Sequence, residues 1–102
     1  AGPNTTLLNQ PTRVHFDSFT NSLVIVNRGM NSIVRWVLDA SSWSLIAGNL
    51  NGLSGNSSTL LYVPMSVTMD PMGNVYVADA FNQRIQFFPS GRNEGRTIAG
   101  VT

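Results

Sequence analysis

Cysteine is absent, which removes disulfides, thiolate metal sites and cysteine nucleophiles together and leaves the redox compartment open. The six basic residues are all arginine, Arg13, Arg28, Arg35, Arg84, Arg92 and Arg96, and they lie singly along the chain. Only 11% of residues are charged and the formal net charge is +1, so nucleic acid and anionic membrane surfaces are not expected partners. Apolar runs such as residues 23–26 and 60–63 fall far short of the roughly 20 residues a membrane-spanning helix takes. No membrane insertion is expected. The opening Ala1-Gly2-Pro3 carries no basic-then-apolar leader pattern, so any targeting segment is expected to have been removed or to lie outside this stretch.

Groups with catalytic chemistry are equally sparse. The one histidine, His15, stands between Val14 and Phe16; without a second His or a Cys it makes no metal site, and no Ser–His–acid motif surrounds it. The carboxylates Asp17, Asp39, Asp70, Asp79 and Glu94 occur singly at expected turns and strand ends. No catalytic residue, metal ligand or cofactor is assigned, and the chain is expected not to be an enzyme.

What is present is a repeat, in 102 residues that are 42% hydrophobic, enough for one small core. Leu7-Leu8-Asn9-Gln10-Pro11 aligns with Leu60-Leu61-Tyr62-Val63-Pro64, and Asp17 with Asp70, at a spacing of 53 residues. Beyond the next turn the spacing becomes 52: Asn27 aligns with Asp79, Ile33 with Ile85, and Ile46-Ala47-Gly48 with Ile98-Ala99-Gly100. One extra residue therefore sits in the first copy's turn. Asp70-Pro71-Met72-Gly73-Asn74 has the chemistry of a tight hairpin: an Asp acceptor, a Pro that fixes φ and a Gly free to take φ > 0. Asp17-Ser18-Phe19-Thr20-Asn21-Ser22 lacks both Pro and Gly, so a looser turn is expected there.

Each copy reads as four short strands, at 13–16, 23–26, 33–38 and 43–47, then at 66–69, 75–78, 84–88 and 96–99, with Gly, Asn, Ser or Pro between them. Leu23-Val24-Ile25-Val26 is apolar on both faces and is expected to be buried on both. No window sustains a 3.6-residue period, so no helix is assigned. The expected class is all-β: two four-stranded antiparallel up-and-down sheets, 1–48 and 49–102, of the kind that form β-propeller blades within a larger assembly.

The run Pro64-x-x-Val67-x-Met69-Asp70-x-x-Gly73-Asn74-Val75-Tyr76-Val77-Ala78-Asp79-x-x-Asn82-x-Arg84-Ile85-Gln86 resembles the NHL repeat closely, and residues 11–36 resemble a diverged copy of it. The resemblance implies a structural ion pair between Asp79, ending the second strand, and Arg84, opening the third. Asn27 and Ser32 stand at those positions in the first copy, which is expected to rely on neutral hydrogen bonds. The aromatics Trp36, Trp43, Tyr62, Tyr76, Phe87 and Phe88 suit the space between sheets better than a sugar platform.

Two N-glycosylation triplets occur, Asn4-Thr5-Thr6 and Asn56-Ser57-Ser58. Composition alone would produce about two. Their placement is less ordinary, because both lie just ahead of the Leu-Leu pair in the same connection of the repeat. N-linked glycans at Asn4 and Asn56 would make the protein extracellular, secreted or on a cell surface.

The stretch opens at Ala1-Gly2 and ends just after Ala99-Gly100, in phase with its own repeat. A propeller takes about 4–8 blades, so the outer faces of two are expected to meet further blades of the same chain or further copies, in a ring or a filament. The leading expectation is a non-enzymatic extracellular NHL-type module acting as a structural or interaction unit. The alternatives are two blades of a metal-dependent propeller enzyme resembling the amidating lyases, and a ligand-binding platform.

Overall fold

The computed structural model describes residues 8–40 and 42–100. Eight strands follow in chain order: β1 (Pro11–Asp17), β2 (Ser22–Asn27), β3 (Ser32–Val37), β4 (Ser42–Gly48), β5 (Pro64–Met69), β6 (Val75–Asp79), β7 (Arg84–Phe88) and β8 (Arg96–Gly100). They form two open, four-stranded antiparallel sheets, each in the order of its sequence. The expected strands are all present and run one or two residues longer at most ends. The only helical backbone among the described residues is a single 3₁₀ turn in each copy, Arg28–Met30 and Ala80–Asn82, too short to leave a periodic signature.

The repeat extends to backbone detail. Register slips between Pro11 and Arg13 in one sheet and between Pro64 and Ser66 in the other, and again between Ile33 and Val34 and between Ile85 and Gln86. Left-handed backbone recurs at equivalent positions: Gln10 and Val63, Asn31 and Gln83, Asn21 and Gly73, Gly48 and Gly100. At the last pair glycine is obligatory, since a Cβ on Gly48 would collide with the Asn31 carbonyl and one on Gly100 with that of Gln83.

The turn expected to be loose is tied down. Asn21 takes the left-handed conformation at the position Gly73 fills in the other copy, as Asn does more readily than other residues with a Cβ. Asp17 accepts from the Phe19 N–H at 3.1 Å and the Thr20 hydroxyl at 2.7 Å. Arg35 then bridges the turn through Nη1, reaching Asp17 Oδ2 at 2.8 Å and the Thr20 and Ser22 hydroxyls at 2.7 Å each. The first copy is therefore not confined to neutral bonds: its ion pair lies at the opposite end of the sheet from Asn27.

The two sheets stack through unlike faces. Val24, Val26, Ile33 and Ala47 of the first sheet meet Val75, Val77 and Phe88 of the second, with Leu61 of the connecting loop and the half-buried Val67 and Met69. Leu23, Val24, Ile25 and Val26 are buried or half-buried, because Val24 and Val26 face the second sheet while Leu23 and Ile25 pair with Phe16, Val14, Trp36 and Val34 on the far side. Of the aromatics, Phe88 alone lies fully buried between the sheets. Trp36 and Trp43 pair across β3 and β4 on the first sheet's far side. Tyr76 and Phe87 meet edge to face at 5.1 Å, with Arg96 5.0 Å above the Phe87 ring, on the second sheet's far side.

Candidate functional site in the loop that carries Asn56

The connection from Gly48 to Pro64 runs through the second glycosylation triplet. It has little regular structure beyond one bridge, Ser54 to Leu61, so its backbone polar groups need partners elsewhere. Arg84 supplies them. Its Nη1 donates to the Asn56 carbonyl at 2.9 Å, and its Nη2 to those of Ser57 at 3.0 Å and Leu60 at 2.9 Å. Its Nε donates to Asp79 Oδ2 at 2.8 Å, with only 6% of the Arg84 side chain and none of the Asp79 side chain exposed. A planar guanidinium with five fixed donors fits this task; an ammonium would reach fewer acceptors.

Asp79 completes the clamp. Its Oδ1 accepts the Tyr62 N–H at 2.7 Å, and its Oδ2 also accepts from Asn82 Nδ2 at 2.8 Å, which reaches on to the Gly55 carbonyl at 2.7 Å. Asp79 and Arg84 are direct register partners on β6 and β7, so the second sheet holds the pair rigidly. What the pair braces is therefore wider than its own hairpin: it fixes both ends of the segment from Gly55 to Tyr62. From the other side the Gly95 N–H donates to the Ser58 carbonyl at 2.7 Å, and the Ser58 hydroxyl to Glu94 Oε2 at 3.1 Å.

Asn56 itself is exposed on this held backbone. Asn4 lies outside the described residues. In the first copy Asn27 Oδ1 accepts the Asn9 N–H at 2.7 Å, the same contact that Asp79 makes with Tyr62, while Ser32 is buried where Arg84 stands. The neutral position keeps the contact that closes the strand entry; the guanidinium that grips the loop has no counterpart at Ser32.

The turn residues gather at the other end of the sheets. Asp70 accepts from the N–H groups of Met72 and Asn74 at 3.0 Å each, from Asn74 Nδ2 at 3.0 Å and from the Tyr76 hydroxyl at 3.1 Å, and Gly73 takes φ +85° beside it. The Asn74 side chain, followed by its backbone N–H and the Tyr76 hydroxyl, holds the Asp70 carboxyl below its usual range against partial desolvation. At Asp17 desolvation pushes upward, but hydrogen bonds from Arg35, Thr20 and the Phe19 N–H, with the Arg35 charge, bring the net shift below the usual range. Depressed carboxylates stabilise the fold above the unfolded value and cease to do so as pH falls through the folded one. The melting temperature should therefore drop on acidification from about pH 6 to about pH 2, and Asp17→Asn with Asp70→Asn should flatten the drop. Equal slopes for the two proteins would contradict this assignment.

His15 is half-buried on β1 opposite Val24. Among the described residues no group of three or more His, Cys, Asp or Glu could hold a metal ion, and no helix is long and apolar enough to cross a membrane. The arrangement offers a rigid presented loop and two apolar outer sheet faces. No protein-family model matches the chain, and no curated protein matches it.

Proposed function

We propose that this chain is a pair of NHL-type β-propeller blades that serves as a non-enzymatic structural or interaction unit of an extracellular glycoprotein, assembling with further copies or blades. The observation that carries the reading is the stacking of two equivalent sheets through unlike faces, a contact made once, with the matching outer faces left at the two ends of the stack. A blade pair built this way is an element of a ring or a filament. The extracellular part of the reading rests on the triplets at Asn4 and Asn56, and the clamp supports it by holding the Asn56 loop outward on a fixed backbone. Intact-mass measurement of protein from its natural source, before and after N-glycosidase, tests it. The expected result is a mass excess removed by the enzyme and mapped to Asn56; unmodified Asn4 and Asn56 would overturn the glycoprotein reading.

A further inference from the structure

The contact between the two sheets also includes a polar clamp: Asn31, in left-handed backbone at the end of the first 3₁₀ turn, accepts the Val63 N–H on its Oδ1 at 2.8 Å and donates from Nδ2 to the Gly52 carbonyl at 3.0 Å. Val63 is itself left-handed, at φ +52°, a conformation that a β-branched residue adopts only when its surroundings hold it there. The repeat carries Asn31 onto Gln83 and Val63 onto Gln10. Gln83 ends the second 3₁₀ turn with φ +56°, and Gln10 has φ +54°. Both are exposed. Each half of the clamp is thus built again, on opposite outer ends of the molecule.

The apolar surfaces repeat in the same way. The second sheet's inner face, with Val67, Met69, Val75 and Val77, is equivalent to the first sheet's outer face, with Val14, Phe16, Leu23 and Ile25. There Val14 and Phe16, on β1, are 60% and 54% exposed, while Leu23 is half-buried and Ile25 buried. Conversely, the first sheet's inner Ile33 and Ala47 are equivalent to Ile85 and Ala99 on the second sheet's outer face. The molecule already makes the inner contact once, so the two outer faces are the two halves of the same contact. Packing like faces together would bring unmatched halves into register.

We infer that a second copy of this chain docks head to tail, its β1–β4 outer face on the β5–β8 outer face of the first, with the Gln83 side chain of one copy taking the Gln10 N–H of the next. The contact joins non-equivalent surfaces, so it propagates to a ring or a filament and does not stop at a two-fold dimer. This rests on the repeat-unit reading above and adds the partner and the register.

These 102 residues hold no cysteine, so introduced thiols report alone. Gln10→Cys and Gln83→Cys variants are oxidised separately and mixed, with Asn31→Cys plus Val63→Cys in one chain calibrating the geometry. A disulfide-linked dimer only in the mixture is the expected result. Cross-linking of either variant to itself, or none in the mixture while the protein sediments as an oligomer, overturns the register and leaves the assembly reading standing. A sedimenting monomer overturns both.

Discussion

Replacing Arg84 by methionine is expected to destabilise the chain by about 3–5 kcal/mol, the scale for removing one partner of a buried ion pair. The magnitude follows from what is left behind. Asp79, fully buried, loses its cation, and the carbonyls of Asn56, Ser57 and Leu60 lose their donor together. Arg84→Lys should recover only part of the loss, because an ammonium carries the charge without the fork. Chemical denaturation measures the total. Amide exchange locates it: the N–H groups of Gly55 and Leu60, bonded within the loop to Leu61 and Ser57, should exchange faster in the variant than those of β2 and β3. A loss below about 1 kcal/mol, the ordinary value for an exposed pair, would contradict the clamp.

The sheets were readable because their signals are local. Alternation, the Asp-Pro-x-Gly turn and the identical Ile-Ala-Gly endings all act within a few residues. The Asp79–Arg84 pair was expected from the resemblance to the NHL repeat, and the two residues do face each other across one short connection. Its larger role was not, because the partners of Arg84 in the loop are backbone carbonyls, which every residue has. Arg35 and Asp17 lie 18 residues apart and meet only after β1, β2 and β3 pair: Asp17 opposes Ser22, which opposes Val37, with Arg35 two residues back on the same face. Diagonal contacts of that kind need the register, not the composition. Asn21 did carry a usable signal. It occupies the Gly73 position of the repeat, and Asn is the residue most able to replace Gly in left-handed backbone.

Phe16→Asp should disassemble the protein while leaving each chain folded. Phe16 is more than half exposed in the isolated chain, so the substitution costs the monomer little. Its equivalent in the second sheet, Met69, packs against the core between the sheets, and the inferred docking places Phe16 in the same setting. A carboxylate buried there without a partner weakens association by at least 2 kcal/mol, about thirtyfold, on the scale of a central interface residue. Thermal melting of the dilute variant near that of the unsubstituted chain would separate this effect from misfolding.

Sedimentation velocity of the unsubstituted 102-residue chain over a wide concentration range decides whether copies assemble. Species at whole-number multiples of the chain mass are expected, growing with concentration and lost in Phe16→Asp. A single species of one chain's mass throughout would contradict assembly.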